Sequence, residues 1–238
     1  VISLTATVLT VLPLNGVALS AEGPVASATL SVTGKKTYVP ASGHTDLSYS
    51  IEHWHSDVSL SEVFSGCKIG AMNINLPPSG MATVGFDITG ADITTAASQY
   101  FTSPTAATST GILAAINGIM LLQGVKTSLL TGLSIALSGN MAYAGPVVGS
   151  NVQPAISVGR ITANGQITAL LQDATIRDYF INETEISIVA VLAASNAALA
   201  DFIGFSMPRV KVGGAAKDDN EQQLTQTLPY EALYNSAG

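Results

Sequence analysis

Apolar and polar residues alternate along much of the chain, in runs that end at Gly, Pro or Asn. The opening stretch "ISLTAT" alternates aliphatic with hydroxyl residues. Because successive side chains of a strand point to opposite faces, this alternation predicts a mainly β protein with antiparallel pairing. We expect strands at residues 2–12, 26–33, 45–52, 67–76, 81–89, 112–122, 128–138, 156–163, 166–171, 185–192, 202–212 and 224–229.

Two Asn-Gly pairs are the strongest turn signals. In "ISVGRITANGQITALLQ", Asn164 and Gly165 separate two strand runs and offer the positive-φ residues of a type I′ hairpin. Pairing across this turn would bury one face of the hairpin and expose the other. Asn117 and Gly118 repeat the pattern between flanks that are apolar on both faces. That pair predicts a deeply buried hairpin, or one whose second face another subunit covers.

Two short helices are predicted. In "SLSEVFSG", Ser59 and Glu62 match a capping box, and a Gly ends the segment. In "DATIRDYFIN", Asp173 is placed to cap a helix on which Ile176 and Phe180 share one face. This second helix is expected to flank a sheet.

Two other segments are predicted to be connections. Residues 94–110, "TTAASQYFTSPTAATST", are low in complexity and predict an extended segment that can reach a neighbouring subunit. Near the C-terminus, "KVGGAAKDDNEQQ" holds a charged cluster between two predicted strands. The cluster comprises Lys217, Asp218, Asp219 and Glu221. We expect a solvated connection with a Gly hinge, at the outer surface of an assembly or at a junction within it.

The low share of charged residues predicts that other chains cover much of the surface. The 238 residues suffice for one large or two small domains, and charged residues make up 11% of them. Soluble domains usually carry about 25% charged residues. A net charge of -7 with nine basic residues argues against tight binding of phosphates.

The N-terminal run resembles a secretory signal peptide, but it has no initial Met, no basic segment and a strand-like alternation. We therefore do not expect a signal peptide, and the absent Met suggests a processed or partial chain. No run approaches the ~18 uninterrupted apolar residues of a membrane span, so no membrane association is expected. The single cysteine, Cys67, excludes an internal disulfide.

The segment "HWH" is the nearest approach to a metal site. His53 and His55 are two residues apart, share one face of a strand, and offer nitrogens that zinc accepts. The remaining histidine, His44, and the nearest carboxylates, Glu52 and Asp57, have no recognised ligand spacing. Motifs for a nucleophile elbow, a phosphate loop or a zinc protease are absent from the sequence. We expect no catalytic, cofactor-binding or metal-binding residues and no enzyme activity.

The order and spacing of five segments resembles the tail tube protein family of long-tailed bacteriophages. They are "VFSGCKIGAMNINLPPSGMATVGFDITG", "YFTSPTAATSTGILAAINGIMLLQG", "VGSNVQPAISVGRITANGQITALLQD", "INETEISIVAVL" and "MPRVKVGGAAKDDNEQQLTQTLPYEALYN". The resemblance implies a tail tube core domain at 24–238, with a C-terminal strand hairpin at 202–230. Residues 1–23 are similar to the inset or N-terminal β region of some members, here truncated at its N-terminus.

The resemblance implies an antiparallel β-sandwich or partial barrel with a flanking short α-helix, whose sheets close into an inter-subunit β-barrel ring. Rings of this family are commonly hexameric and stack into a hollow tube through which the genome passes into the host. The protein would then be made in the bacterial cytoplasm and reside in the virion tail. The sequence does not show whether that tail contracts, although this version of the family is more typical of noncontractile tails. Residues 164–165 become candidates for the lumen, residues 176–181 the flanking helix, and residues 94–110 a contact between rings or subunits.

The implied main partner is the protein itself. The tape measure protein and tail terminator or baseplate proteins are further candidate partners, and DNA passes without specific binding. The alternative from another class is a β-sandwich that binds carbohydrate or protein, as a virion decoration or adhesin-like module. Such a module should expose a cluster of aromatic residues, whereas the seven Tyr and one Trp are dispersed along the chain.

Overall fold

The computed structural model describes residues 3–4, 9–10, 36, 38–39, 46–109, 111–127, 130–145, 147–150, 152–172, 174–195, 200–219 and 224–234. Within these ranges the regular structure is almost entirely antiparallel β. The strands are β1 (Ser3–Leu4), β2 (Leu9–Thr10), β3 (Tyr49–His55), β4 (Leu60–Leu76), β5 (Thr83–Thr89), β6 (Asp92–Ala96), β7 (Gly118–Leu122), β8 (Val125–Lys126), β9 (Leu130–Ser138), β10 (Ala142–Tyr143), β11 (Ile156–Ser157), β12 (Thr162–Leu170), β13 (Ile186–Ala193), β14 (Phe202–Val212), β15 (Ala216–Asp219) and β16 (Leu224–Ala232). The helices are a single 3-10 turn (Ala115–Asn117) and α1 (Thr175–Ile181).

Twelve strands form one sheet in the order β3-β4-β9-β12-β16-β14-β13-β7-β8, with β5 and β6 on β4 and β15 on β16. The 17-residue strand β4 joins two regions of this sheet. Its first half pairs with β3 and β6, and its second half pairs with β5 and β9. Two separate ribbons, β1-β2 and β10-β11, complete the described strands.

The core lies between two layers of this one sheet. From the first layer, β4, β9 and β12 contribute Ile74, Leu133 and Ile167, and from the second, β13 and β14 contribute Ile188 and Val210. The layers are connected through the end of β16, whose residues 230–232 pair with β12 on one side and with the end of β14 on the other. The predicted fold class is confirmed: an antiparallel, sandwich-like β protein with a short helix. Among the described strands, the sheet is not closed into a barrel.

The predicted hairpin at Asn164 and Gly165 is wrong. Both residues lie inside β12, which pairs with β9 on one side and with β16 on the other. A Cβ on Gly165 would overlap the carbonyl oxygen of Ser134 and the hydroxyl of Tyr230, which donates a hydrogen bond to that oxygen over 2.8 Å. Gly165 is therefore required by close packing across strands and not by a turn.

The hairpin at Asn117 and Gly118 is also wrong, because Asn117 ends the 3-10 turn and Gly118 begins β7. The chain reverses instead at Gln123 and Gly124, whose φ angles are 53° and 75°. Two consecutive positive φ angles between paired strands are the type I′ arrangement. The side-chain amide of Gln123 also donates a hydrogen bond to the backbone carbonyl of Glu185, which ties the turn to the start of β13.

Of the two predicted helices, one is confirmed. The helix at residues 59–66 is wrong, since Ser59 has a φ of 51° and Leu60 begins β4. Strand partners on both sides of this segment outweigh its local capping pattern. Helix α1 is confirmed, and its Tyr179 packs against the core. The predicted cap Asp173 lies outside the described residues.

Several strand boundaries also differ from prediction. Residues 2–12 are not one strand, because β1 and β2 are separate strands that pair antiparallel, with Ser3 opposite Thr10. The strand predicted at 112–122 begins only at 118, and of that predicted at 156–163, residues 158–161 are not in a strand. The strand predicted at 26–33 lies outside the described residues.

Two predicted connections contain strands. The segment 94–110 begins within β6, although residues 97–109 have no regular structure. In the charged cluster, β15 pairs with β16 and places Lys217 opposite Gln226. The prediction of a connection is therefore wrong for residues 216–219, while Glu221 lies outside the described residues. No helix among the described residues is long and apolar enough to cross a membrane.

Candidate assembly surfaces

One face of the first layer is polar. We define the five-strand block as β5, residues 71–76 of β4, β9, β12 and β16. Cross-strand register puts Asn73, Asn164 and Glu231 in one row and Asn75, Ser134 and Gln166 in the next. The polar face of the block comprises Asn73, Asn75, Thr83, Asp87, Ser134, Asn164, Gln166, Thr168, Thr227 and Glu231.

This polar face carries acidic groups but no basic ones. Its charged residues are Asp87 and Glu231, and none of the five segments contains Lys or Arg. The Asn73 amide lies at hydrogen-bond distance, 3.5 Å, from the Asp87 carboxylate. Amides and hydroxyls keep such a surface wet, while the absence of cations deprives a polyphosphate of its usual partners.

The opposite face of the block is covered at its centre and open at β5. Val84, Phe86 and Ile88 lie on the same side as the core residue Ile74, yet they remain 48%, 53% and 48% exposed. Among the described residues, β5 pairs with β4 alone. The β5 edge, meaning this apolar row and the unpaired backbone beside it, is the kind of edge that another strand can extend.

A second exposed surface lies at the other end of β4. We define the three-strand face as the side of β3, residues 60–67 of β4 and β6 on which Ile51, Phe64 and Ile93 form one cross-strand row. These three side chains are all exposed. In the adjacent row, His53 and Thr95 flank Glu62. An apolar row and a His-Glu row therefore share one solvent-facing surface.

The histidines of "HWH" meet a carboxylate from the segment in which the capping pattern predicts a helix. Glu62 lies opposite His53, with its Oε2 4.0 Å from His53 Nδ1 and 3.7 Å from His55 Nε2. Cys67 is not part of this group, because it is buried and its thiol lies 3.5 Å from the Phe64 carbonyl. Glu62 stands between Ser61 and Val63, whose side chains are both buried. This alternation is typical of a strand and is the signal that could have identified Glu62.

On the other side of β3, Glu52 holds the start of the long connection. Its carboxylate accepts hydrogen bonds from the Ser61 hydroxyl and from the backbone N–H groups of Tyr100 and Phe101, at 2.7 and 2.9 Å. Partial burial opposes ionisation, but these three hydrogen bonds together lower the pKa of Glu52 below its ordinary value. The connection is thereby fixed at an exposed aromatic pair, whose rings meet edge to face.

Three basic side chains are exposed to solvent away from the polar face. Lys126, Arg160 and Lys217 are each exposed and lie outside the five-strand block. Arg160 precedes β12, and its carbonyl accepts a hydrogen bond from Asn140. These three basic side chains therefore do not lie on the polar face.

The chain matches a family model described as phage tail tube protein, over residues 15–232. The match includes every described strand from β3 to β16. None of the curated proteins compared with the chain matches it.

Proposed function

Because the chain belongs to the phage tail tube protein family, we propose that its subunits close into hexameric rings that stack into the hollow tube of a noncontractile tail. Membership gives the protein a structural role in the tail tube and a location in the virion tail. No finding favours the alternative, a carbohydrate- or protein-binding module. The role is non-enzymatic, and the genome passes through the tube into the host.

The polar face of the five-strand block lines the lumen. The observation that carries this proposal is the combination of exposed amides and partly exposed hydroxyls with two carboxylates and no cation on a continuous sheet surface. A conduit must stay hydrated without binding phosphates, and clustered Lys or Arg would bind them. Asn164 keeps the lumenal position that the resemblance suggested for residues 164–165, but as part of the central strand β12.

The β5 edge contacts a second copy of the chain. A tube of subunits requires each sheet to meet its neighbour, and β5 offers an unpaired backbone together with Val84, Phe86 and Ile88. Pairing with the neighbouring chain would satisfy that backbone and remove the apolar row from water. The exposed pair Tyr100 and Phe101, held by Glu52, belongs to the contact between rings or subunits.

The domain boundaries follow the same scheme. Residues 24–238 form the tail tube core, with the strands between 202 and 230 at its C-terminal side, and residues 1–23 belong to an inset or N-terminal β region. The tape measure protein and the tail terminator or baseplate proteins bind the ends or interior of the finished tube.

Electron microscopy of the purified protein tests the main proposal. Rings or hollow tubes are expected at high protein concentration, and a persistent compact monomer would contradict self-assembly.

Thiol labelling tests the lumen assignment. Cysteine is introduced by Gln166→Cys on the polar face or by Lys217→Cys on β15, and native Cys67 is buried. A small maleimide should label both variants in assembled tubes. A bulky polymer-linked maleimide should label Lys217→Cys tubes but label Gln166→Cys only before assembly. Equal labelling of both tubes by the bulky reagent would show that the polar face is not lumenal.

A further inference from the structure

Two histidines and one glutamate converge on the three-strand face, away from both the polar face and the β5 edge. We propose that His53, His55 and Glu62 bind a divalent transition metal ion of the zinc class. The sequence alone does not predict this site, because Glu62 lies on a predicted helix and the histidines lack a third ligand. The strand structure of β4 supplies that ligand.

One hairpin of the sheet, β3–β4, brings the three side chains together. His53 and His55 are two residues apart on β3 and therefore point to the same side. The tight turn at residues 56–59 returns the chain as β4, which places Glu62 directly opposite His53 and diagonal to His55. Neighbours in such a cross-strand pair stand close enough for their side chains to touch. The ligand set thus belongs to one hairpin of the sheet.

The distances suit a metal ion after small side-chain rotations. Each of the three residues offers a ligand atom, and these atoms all lie within 4.8 Å of one another. Two atoms bound to one tetrahedral zinc at about 2.1 Å each would be about 3.4 Å apart. The Glu62 oxygen already lies 3.7 Å from His55 Nε2 and 4.0 Å from His53 Nδ1. The largest contraction needed is about 1.4 Å, from the 4.8 Å limit to about 3.4 Å, and changes in side-chain torsions can supply it.

The chemistry of the donor set selects the metal class. Two imidazole nitrogens and one carboxylate oxygen suit zinc and its neighbours in the first transition row, whereas calcium and magnesium prefer oxygen ligands. The imidazole rings lie 3.9 Å apart, so both can approach one ion. The side chains are 65%, 36% and 32% exposed for His53, His55 and Glu62 respectively, so an ion can enter from solvent. In a single subunit, water would occupy the fourth coordination position of the ion.

Calorimetric titration of the purified protein with zinc chloride, in a non-chelating buffer at neutral pH, tests the proposal. One zinc per chain is expected. His53→Ala, His55→Ala and the isosteric Glu62→Gln should each weaken binding by at least about tenfold, since loss of a direct ligand should cost no less than loss of an outer-shell partner. The matched control is His44→Ala, which removes the remaining histidine of the chain and should leave binding unchanged.

Cobalt titration gives an independent readout of the same site. The visible absorption of bound Co²⁺ should show a low coordination number in the wild type and should disappear in His55→Ala.

Three outcomes would overturn the proposal. The first is an absence of saturable zinc binding by the wild type, and the second is binding that survives unchanged in His53→Ala or Glu62→Gln. The third is an equal loss of binding in His44→Ala. Because these measurements need no tubes, failure of the metal site and failure of tube assembly can be told apart.

Discussion

Strands β12 and β5 carry the same alternation within one sheet but have opposite surroundings. In β12, Ile167 and Ala169 are buried at 3% and 0% exposure, because β9 and β16 flank the strand and the second layer covers its apolar side. In β5, Phe86 occupies the equivalent side and is 53% exposed. Alternation therefore reports that a strand has an apolar side, and only its neighbours determine whether that side is covered.

This contrast separates the stability of the single chain from its assembly. The covered side of β12 contributes to the stability of the single chain, whereas the open side of β5 is available for association. A charged residue should consequently have different effects in the two strands.

The largest effect is expected from placing the same charge in each strand. Ile167→Asp would remove apolar burial and leave a carboxylate among apolar neighbours, at a cost on the order of 5 kcal/mol, which rivals the stability of many domains. Phe86→Asp should change the free energy of unfolding by less than about 1 kcal/mol, because its site is open to water. Yet Phe86→Asp should abolish tubes.

Thermal unfolding followed by circular dichroism, together with electron microscopy, measures both results. Normal tubes from Phe86→Asp would remove the β5 edge from the interface. A folded Ile167→Asp chain of unchanged stability would contradict the buried role of β12.

A second, smaller effect tests close packing in β12. Gly165→Ala would drive a methyl group into the Ser134 carbonyl and the Tyr230 hydroxyl, and we expect a destabilisation of about 2–3 kcal/mol. Gly204→Ala on β14 is the matched control, since its nearest atom, on Val191, lies at an ordinary contact distance of 3.7 Å. Urea unfolding compares the two variants. Equal stabilities would mean that the Tyr230–Ser134 contact does not constrain position 165.

A third effect concerns the connection that leaves β6 and is expected at acid pH. The lowered pKa of Glu52 means that the folded state favours the ionised carboxylate, so this contribution is present above the ordinary pKa. It is lost as the pH falls below about 4.5 and through the folded pKa. The protection factors of the Tyr100 and Phe101 amides, which compare measured exchange with the intrinsic rate at the same pH, should therefore fall on acidification.

Glu52→Gln should weaken protection of the same two amides already at neutral pH and should flatten the dependence below about pH 4.5. Asp57→Asn, which alters an exposed carboxylate in the β3–β4 turn, serves as the control. Protection that is insensitive both to pH and to Glu52→Gln would show that the connection is held by other contacts.

The smallest effect is expected at the charged cluster. Replacing Asp218, Asp219 and Glu221 with Ser should leave tube formation intact, because Asp218 and Asp219 lie on β15, outside the five-strand block. Electron microscopy of the triple variant checks this expectation. Complete loss of tubes would make the cluster an assembly contact.

Much of the strand content could be predicted from alternation. The strand at residues 202–212 was placed with its correct bounds, and those of β9 and β13 were placed within two residues. Helix α1 was also recovered, since its spacing of apolar residues is incompatible with a strand. These segments share an unambiguous period that is long enough to outweigh local exceptions.

The errors arose at short local signals. Asn164 and Gly165 favour a tight turn in isolation, but a Gly inside a strand also permits the close approach of Tyr230. Ser59 and Glu62 satisfy a capping box in isolation, but β3 and β6 offer partners on both sides of the segment. The candidate metal site was missed for the same reason, because Glu62 becomes a neighbour of His53 only when the segment is a strand.

The sequence by itself determined the β class, the flanking helix, the low density of charge and the family. These properties are contained in local periodicity, composition and the order of motifs. The tertiary structure alone decided which apolar sides are covered, which glycine is sterically required and which carboxylate meets the two histidines. Those outcomes depend on strand register between residues far apart in the chain, and a one-residue shift in register exchanges the two faces of a strand.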